Sequence, residues 1–212
     1  MRGRVQNTVA MSFRTLDVEG AVEFGFPTFP DERGSFTSAL TESDFAHALG
    51  HRPFPVRQAS YTRSRRGVIR GLHFTATPPG CAKFVYCPAG KALDLVVDLR
   101  VDSPTWGRWD AVTLDPAEPK AVYLPVGVGH GVVSLEDETV VCYLLSAQYV
   151  PENELAVSVF DPELDIALPD LPPVQSPRDA EAQSLADAMS RGLLPDFDAC
   201  REAEAALARS AA

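Results

Sequence analysis

Between Lys91 and Leu99 the chain alternates strictly, with Leu93, Leu95, Val97 and Leu99 at one parity and Ala92, Asp94, Val96 and Asp98 at the other. Successive side chains of a strand point to opposite faces, so this period of two specifies an extended segment with two distinct faces. Turn signals then recur at Asp102-Ser103-Pro104, Asp115 to Pro119, Gly127 to Gly131, Glu136-Asp137 and Pro151-Glu152-Asn153, bounding runs rich in Val, Leu, Tyr and Trp. Many short strands with no helix between them must close on one another as a sandwich or barrel. The expected fold is therefore all-β, a cupin-like jelly-roll barrel around a ligand pocket, with a short N-terminal helix and a C-terminal helical tail.

The flanks set the domain boundaries. Residues 1–20 read as a leader in which order begins near Phe13, residues 21–169 as the β domain, and residues 170–212 as a helical extension. Within the β domain, Thr41 or Ser43 can cap a small helix carrying Phe45 and Leu49 at i and i+4, closed by Gly50. In the extension, Ser176 followed by Pro177 is a helix start, and Ala182, Leu185, Ala186, Met189 and Leu193 keep helical spacing over 179–194. A second helix is expected from about Ala199 to Arg209. Neither segment shows obvious chemistry.

With 19 Lys and Arg against 29 Asp and Glu, the formal net charge is −10, which repels nucleic-acid backbones and anionic membrane surfaces. No segment approaches the roughly 18 to 20 apolar residues of a membrane span, and no signal-length apolar run follows Arg2 and Arg4. A cytoplasmic protein is the expectation. The four cysteines, Cys81, Cys87, Cys142 and Cys200, lack zinc-site spacing and read as buried free thiols.

Against this acidic background, residues 57–70 hold Arg57, Arg63, Arg65, Arg66 and Arg70. For Arg63, Arg65 and Arg66 a solvated loop paired with the protein's own carboxylates suffices. Arg70 lies in the apolar run Ile69-Arg70-Gly71, where a lone guanidinium is costly, so it should meet a buried carboxylate or an anionic ligand. His73 follows three residues on. Its unperturbed pKa near 6.5 makes it a proton acceptor at neutral pH. Regular strand geometry sends Arg70 and His73 to opposite faces, so a bulge at Gly71 or the end of the strand is required if both serve one site.

Proton abstraction from a carbon beside a carbonyl needs a base, a group for the enolate oxygen, and at times an acid on the far face. His73 suits the first role, and Lys83, on one strand face with Val85 and Cys87, suits the second. Tyr143, sharing a face with Val141 and Leu145, suits the third, and Asp161 is a candidate to orient His73. His130 ends a glycine-rich approach from Leu124, while His47 and His51 belong to the small helix and its exit. A metal-binding cupin is the competing chemistry, but His73 has no second histidine two residues on and no glutamate close behind.

GVIRGLHF at 67–74, AKFVYCPAGKALDLVVDLRVDSPTWGRWD at 82–110, YLPVGVGHGVVSLED at 123–137 and Tyr143 together resemble the dTDP-4-dehydrorhamnose 3,5-epimerase family, over about residues 21–169. Within it the chain is similar to the antibiotic-pathway branch of 3- and 5-epimerases acting on dTDP-4-keto-6-deoxyhexoses. The resemblance implies a metal-free, cofactor-free isomerase and a homodimer exchanging N-terminal strands, with the dTDP-sugar inside the barrel. It implies His73 as base, Asp161 as its partner, Tyr143 as acid, Lys83 at the enolate and Arg70 at the diphosphate. It further implies His130 and Gln58 at the sugar, and Arg33 and Phe36 reaching the nucleotide from the second subunit. Ser38, Ser60 and Leu144 depart from the family's pattern. Two alternatives fit the same pocket, a ketoisomerase that moves the carbonyl between C3 and C4, and a non-catalytic nucleotide-sugar binding module.

Overall fold

In a computed structural model, which describes residues 11–210, the chain begins with β1 (Ser12–Thr15), β2 (Val22–Gly25), the hairpin β3 (Phe29–Asp31) and β4 (Gly34–Phe36), and α1 (Glu42–Leu49). Eight strands follow with no helix between them: β5 (Gln58–Ser64), β6 (Ile69–Thr75), β7 (Lys83–Ala89), β8 (Ala92–Val97), β9 (Trp109–Leu114), β10 (Lys120–Leu124), β11 (Gly129–Ser134) and β12 (Thr139–Leu145). Then come β13 (Glu154–Ala156), α2 (Pro177–Ala180), α3 (Leu185–Ser190) and α4 (Phe197–Ser210).

The larger strands form two antiparallel sheets, ordered β1-β2-β10-β7-β12-β5 and β13-β6-β11-β8-β9. Strands distant in sequence lie side by side, as β7 does between β10 and β12, which is the wrapped order of a jelly roll. Between the sheets Val85, Val96, Val112, Leu114, Val122, Leu124, Val132 and Val141 form one apolar cluster. The alternation read over 91–99 explains part of this layer: Ala92, Asp94 and Val96 form the buried inner parity of β8, while Leu95 and Val97 enter a second cluster on its outer face.

That outer face cannot stay wet, since burying a Leu or Val side chain contributes roughly 1.5–3 kcal/mol. Leu185 and Ala188 of α3 cover it. On the outer face of the six-stranded sheet, Phe24, Phe84 and Tyr123 meet Phe45 of α1 and Cys200 of α4. The helix α1 starts where Thr41 accepts a hydrogen bond from the Asp44 backbone at 3.2 Å and stops at Gly50, whose φ of 77° favours glycine.

Two expectations require correction. Residues 12–20 are not a leader outside the barrel: β1 pairs with β2, and Leu16 and Val18 are buried in the inter-sheet core, while residues 1–10 lie outside the described part. The tail over 179–194 is not one helix. Ser176 and Pro177 do start α2, but Gln183 makes a parallel bridge to Val157, which holds the chain extended until Ser184 caps α3. An amphipathic spacing was present, but pairing with the sheet edge interrupts it.

The helix α4 is pinned to the barrel by polar contacts. Glu204 accepts hydrogen bonds from the Tyr123 hydroxyl and from the Val126 backbone, the latter at 2.9 Å, and the Arg100 guanidinium lies 5.0 Å from the Phe197 ring centroid. Replacing Glu204 with Ala strands both donors, so denaturant titration should show a loss of about 1–3 kcal/mol. An unchanged midpoint would mean that this carboxylate does not anchor the helix.

Candidate active site

The loop-free passage from Arg70 to His73 holds a bulge. His130 pairs with His73 and Val132 with Arg70, so three steps on β6 oppose two on β11. Gly71 makes this possible: its φ is 106°, and a Cβ there would run into the His130 carbonyl. As required for a shared site, Arg70 and His73 both line one cavity between the sheets, of about 260 Å³ and continuous with solvent.

Within that cavity the His73 Nε2 lies 2.6 Å from Oδ1 of Asp179, a residue of α2. A carboxylate accepts, so Nε2–H is the donor and Nδ1 keeps the lone pair that can take a proton. Burial pushes the Asp179 carboxyl up, but the hydrogen bond and charge of His73, together with the Ser176 hydroxyl, leave it below its ordinary value. It is thus ionised at neutral pH and backs the imidazole.

Asp161 is therefore not the partner that the sequence suggested. Its Oδ2 accepts from the Leu185 backbone at 2.6 Å and its Oδ1 from the Glu163 backbone at 2.8 Å, so both oxygens hold the tail's path into α3. Before it reaches α3 the tail packs α2 against β6, and α2 delivers Asp179. Sequence reading missed Asp179 because Ser176-Pro177-Arg178-Asp179 looks like ordinary helix capping; its Oδ2 indeed accepts from the Ser176 hydroxyl at 2.9 Å.

From the opposite sheet come Lys83 on β7 and Tyr143 on β12, whose residues pair in register as Leu145 with Lys83 and Tyr143 with Val85. Lys83 is 8% exposed, and among the described residues neither it nor Arg70 has a carboxylate within ion-pair distance. Arg70 donates through Nε to Ser64 Oγ at 3.2 Å. Two cations without carboxylates in one cleft suit an anionic ligand. Burial pushes the Tyr143 phenol up to about 12, so it is protonated at neutral pH.

His130 lines the same cavity. Its Nε2 lies 2.6 Å from Oδ1 of Asp94, and its ring stands edge-on to Tyr143 with centroids 5.9 Å apart. Asp94 was also missed, although its parity with Ala92 and Val96 marks it as inward-facing. Gln58 is held at both ends of its amide, accepting from the Tyr149 backbone at 2.8 Å and donating to Ser60 Oγ at 2.9 Å. Glu154 and Arg178 add an acidic and a basic group to the wall.

Arg33 and Phe36 do not join them within one chain. They sit on the β3–β4 hairpin, where Arg33 pairs with Asp31 and Phe36 is 65% exposed. The cysteines are free, and burial raises the Cys87 thiol to about 11, which disfavours a reactive thiolate. Among the described residues no group of three His, Cys, Asp or Glu side chains forms a metal-ligand set, and no helix is long and apolar enough to cross a membrane.

Comparison with known proteins gives a consistent result. A family model described as dTDP-4-dehydrorhamnose 3,5-epimerase matches residues 15–187. A Streptomyces niveus protein named dTDP-4-dehydrorhamnose 3-epimerase is 45% identical over 191 residues, covering 90% of this chain and 92% of its own. The crystal structure of NovW, a 4-keto-6-deoxy sugar epimerase from the novobiocin gene cluster of Streptomyces spheroides, superposes with a TM-score of 0.87 at 44% identity. That match covers 94% of this chain and 100% of NovW. ChmJ, a 3'-monoepimerase from Streptomyces bikiniensis solved with dTDP-quinovose, gives 0.86 at 42% identity, covering 92% and 98%.

Proposed function

The chain belongs to the dTDP-4-dehydrorhamnose 3,5-epimerase family, and we propose that it inverts C3, C5 or both in a dTDP-linked 4-keto-6-deoxyhexose. The reading places it in the cytoplasm, in deoxysugar biosynthesis for a secondary metabolite. One observation carries the mechanism: a carboxylate-backed imidazole on one sheet faces Lys83 and Tyr143 on the other across a single cavity. A sugar ring lying between the sheets meets the base on one face and a proton donor on the opposite face.

His73 takes the proton from the carbon next to the C4 ketone. The C–H electron pair forms the enolate, whose oxygen charge Lys83 stabilises, and Asp179 stabilises the imidazolium. Tyr143 then breaks its O–H bond and gives that proton to the carbon from the far side, which inverts the centre. His73 releases its proton to water and the Tyr143 phenolate recovers one from water, so the enzyme is unchanged. Arg70 holds the diphosphate, and His130 and Gln58 contact the sugar.

We further propose a homodimer in which the β3–β4 hairpin of one protomer crosses to its partner. Arg33 and Phe36 would then reach the nucleotide of the second site. What supports this is the hairpin itself, a separate two-stranded sheet whose Phe29 and Phe36 are 46% and 65% exposed.

The test is NMR of dTDP-4-keto-6-deoxyglucose with the enzyme in deuterated water. Deuterium is expected at C3, C5 or both, with inversion of the labelled centre. A carbonyl relocated to C3 without inversion would identify a ketoisomerase instead, and tight dTDP binding without exchange would identify a binding module.

A further inference from the structure

Cys81 lines the same cavity as Arg70, His73 and Lys83, yet none of the chemistry above uses its thiol. The chain reaches it through the turn Thr77-Pro78-Pro79-Gly80, closed where the Gly80 N–H donates to the Ala76 carbonyl at 2.8 Å. Gly80 has a φ of 71°, and a Cβ there would run into Val126, so the turn sits close against the barrel. Two residues on, Lys83 opens β7. The Cys81 thiol donates to the Ala82 carbonyl at 3.4 Å and receives the Ser146 hydroxyl at 3.9 Å. Both contacts are long, and neither is to a charged group.

A buried thiol by itself is inert packing. What distinguishes this one is its company. Among the described residues, the side-chain hydrogen bonds of the cavity wall engage Gln58, Arg70, His73, His130 and Glu154 but not the Lys83 ammonium, which is nine-tenths buried and pairs with no carboxylate. A small anion is drawn into such a cavity, and so to the wall that carries Cys81. None of the other three thiols lines this cavity, and burial raises each of them.

We propose that Cys81 is an anion-directed modification site, alkylated by small anionic carbon electrophiles of the haloacetate class that enter where the substrate's charged groups bind. This rests on the cavity being the anion site of the reading above. With iodoacetate, the thiol gives its proton to water, the sulfur electron pair forms the bond to the CH₂ carbon, and the carbon–iodine bond breaks to release iodide. The product leaves a tethered carboxylate in the space the substrate needs, so turnover stops.

The experiment treats the protein with iodoacetate and, in parallel, with iodoacetamide, locates the labelled cysteines by peptide mass spectrometry and follows residual deuterium exchange into the ketosugar. The ratio of the iodoacetate rate to the iodoacetamide rate should be about tenfold or more higher at Cys81 than at the half-buried Cys142, and should fall as salt is raised. Lys83→Met should lower that ratio at Cys81 alone. At about ten times its Kd, dTDP should slow the labelling of Cys81 about tenfold and leave Cys142 unaffected. Cys81→Ala should keep, through treatment, whatever activity it has before it.

Equal ratios at Cys81 and Cys142 overturn the proposal, as does label confined to the other cysteines, or inactivation of Cys81→Ala at the parental rate. If Cys81→Ala does not fold, the peptide map of the parent protein still reads the site. Calorimetric binding of dTDP without slower labelling of Cys81 also overturns it. Cys81 labelled with the anion preference in a protein that does not bind dTDP would uphold it and remove the nucleotide reading instead.

Discussion

His73→Asn abolishes deuterium entry at the carbons flanking the ketone, with the exchange rate falling about a hundred- to ten-thousandfold, the usual contribution of a positioned base. The asparagine keeps a polar side chain of similar reach, and Arg70, Lys83 and the hairpin are untouched. Affinity for dTDP, measured by calorimetry, should therefore stay near that of the parent. The reason for expecting so large an effect is that, among the described residues, the one other carboxylate-backed imidazole of the same sheet is His130, whose side chain is only 6% exposed and packed edge-on against Tyr143, whereas that of His73 is 29% exposed. A His73→Asn enzyme that exchanges at the parental rate would falsify the base assignment.

The second large effect separates the two candidate carboxylates. Asp179→Asn should lower kcat by about 10²- to 10⁴-fold with little change in KM. An asparagine amide can donate to Nε2 of His73, which moves the ring proton to Nδ1 and removes the lone pair that the reaction needs. Asp161→Asn has a different signature. It weakens the acceptor for the Leu185 and Glu163 backbone N–H groups, so thermal unfolding should come earlier while activity per folded molecule is kept. If the two signatures were exchanged, the dyad assigned from the geometry would be wrong.

A pH titration of stability adds a check on the same pair. The Asp179 carboxyl is lowered on folding, so the folded protein binds fewer protons than the unfolded chain there. Its stabilising contribution is present above the unfolded value of about 3.9 and is lost as pH falls through the folded one. Acid unfolding of Asp179→Asn should therefore be less steep below about pH 4 than that of the parent.

The inner face of each strand was legible from a period of two, because parity is a property of neighbouring residues. It placed Lys83 with Val85 and Tyr143 with Val141 on faces that the structure does bring to one cavity. The need for a bulge at Gly71 was legible too, since Arg70 and His73 are three apart. The tail was harder to read. Helical spacing over 179–194 competes with a bridge from Gln183 to Val157, and a contact with a distant strand leaves no trace in local periodicity. Asp94 was within reach of the same parity rule that identified its strand, yet an acidic residue in an alternating run reads first as a solvent-facing one.

By itself, then, the chain pointed to the jelly roll, to the residues proposed as base, oxyanion lysine and acid, and to the family to which these motifs are similar. All of these depend on residue type and on spacing within a strand or a motif. The tertiary structure decided which carboxylate backs His73. Asp161 and Asp179 are both aspartates beyond the last strand, and the choice depends on the path of a tail that brings a residue 106 positions away to 2.6 Å. Asp161 is occupied by the backbone N–H groups of Glu163 in its own turn and of Leu185 at the start of α3, while α2 packs against β6 with Asp179 hydrogen-bonded to the imidazole. Hydrogen-bond competition over such distances is settled only when the whole chain has folded.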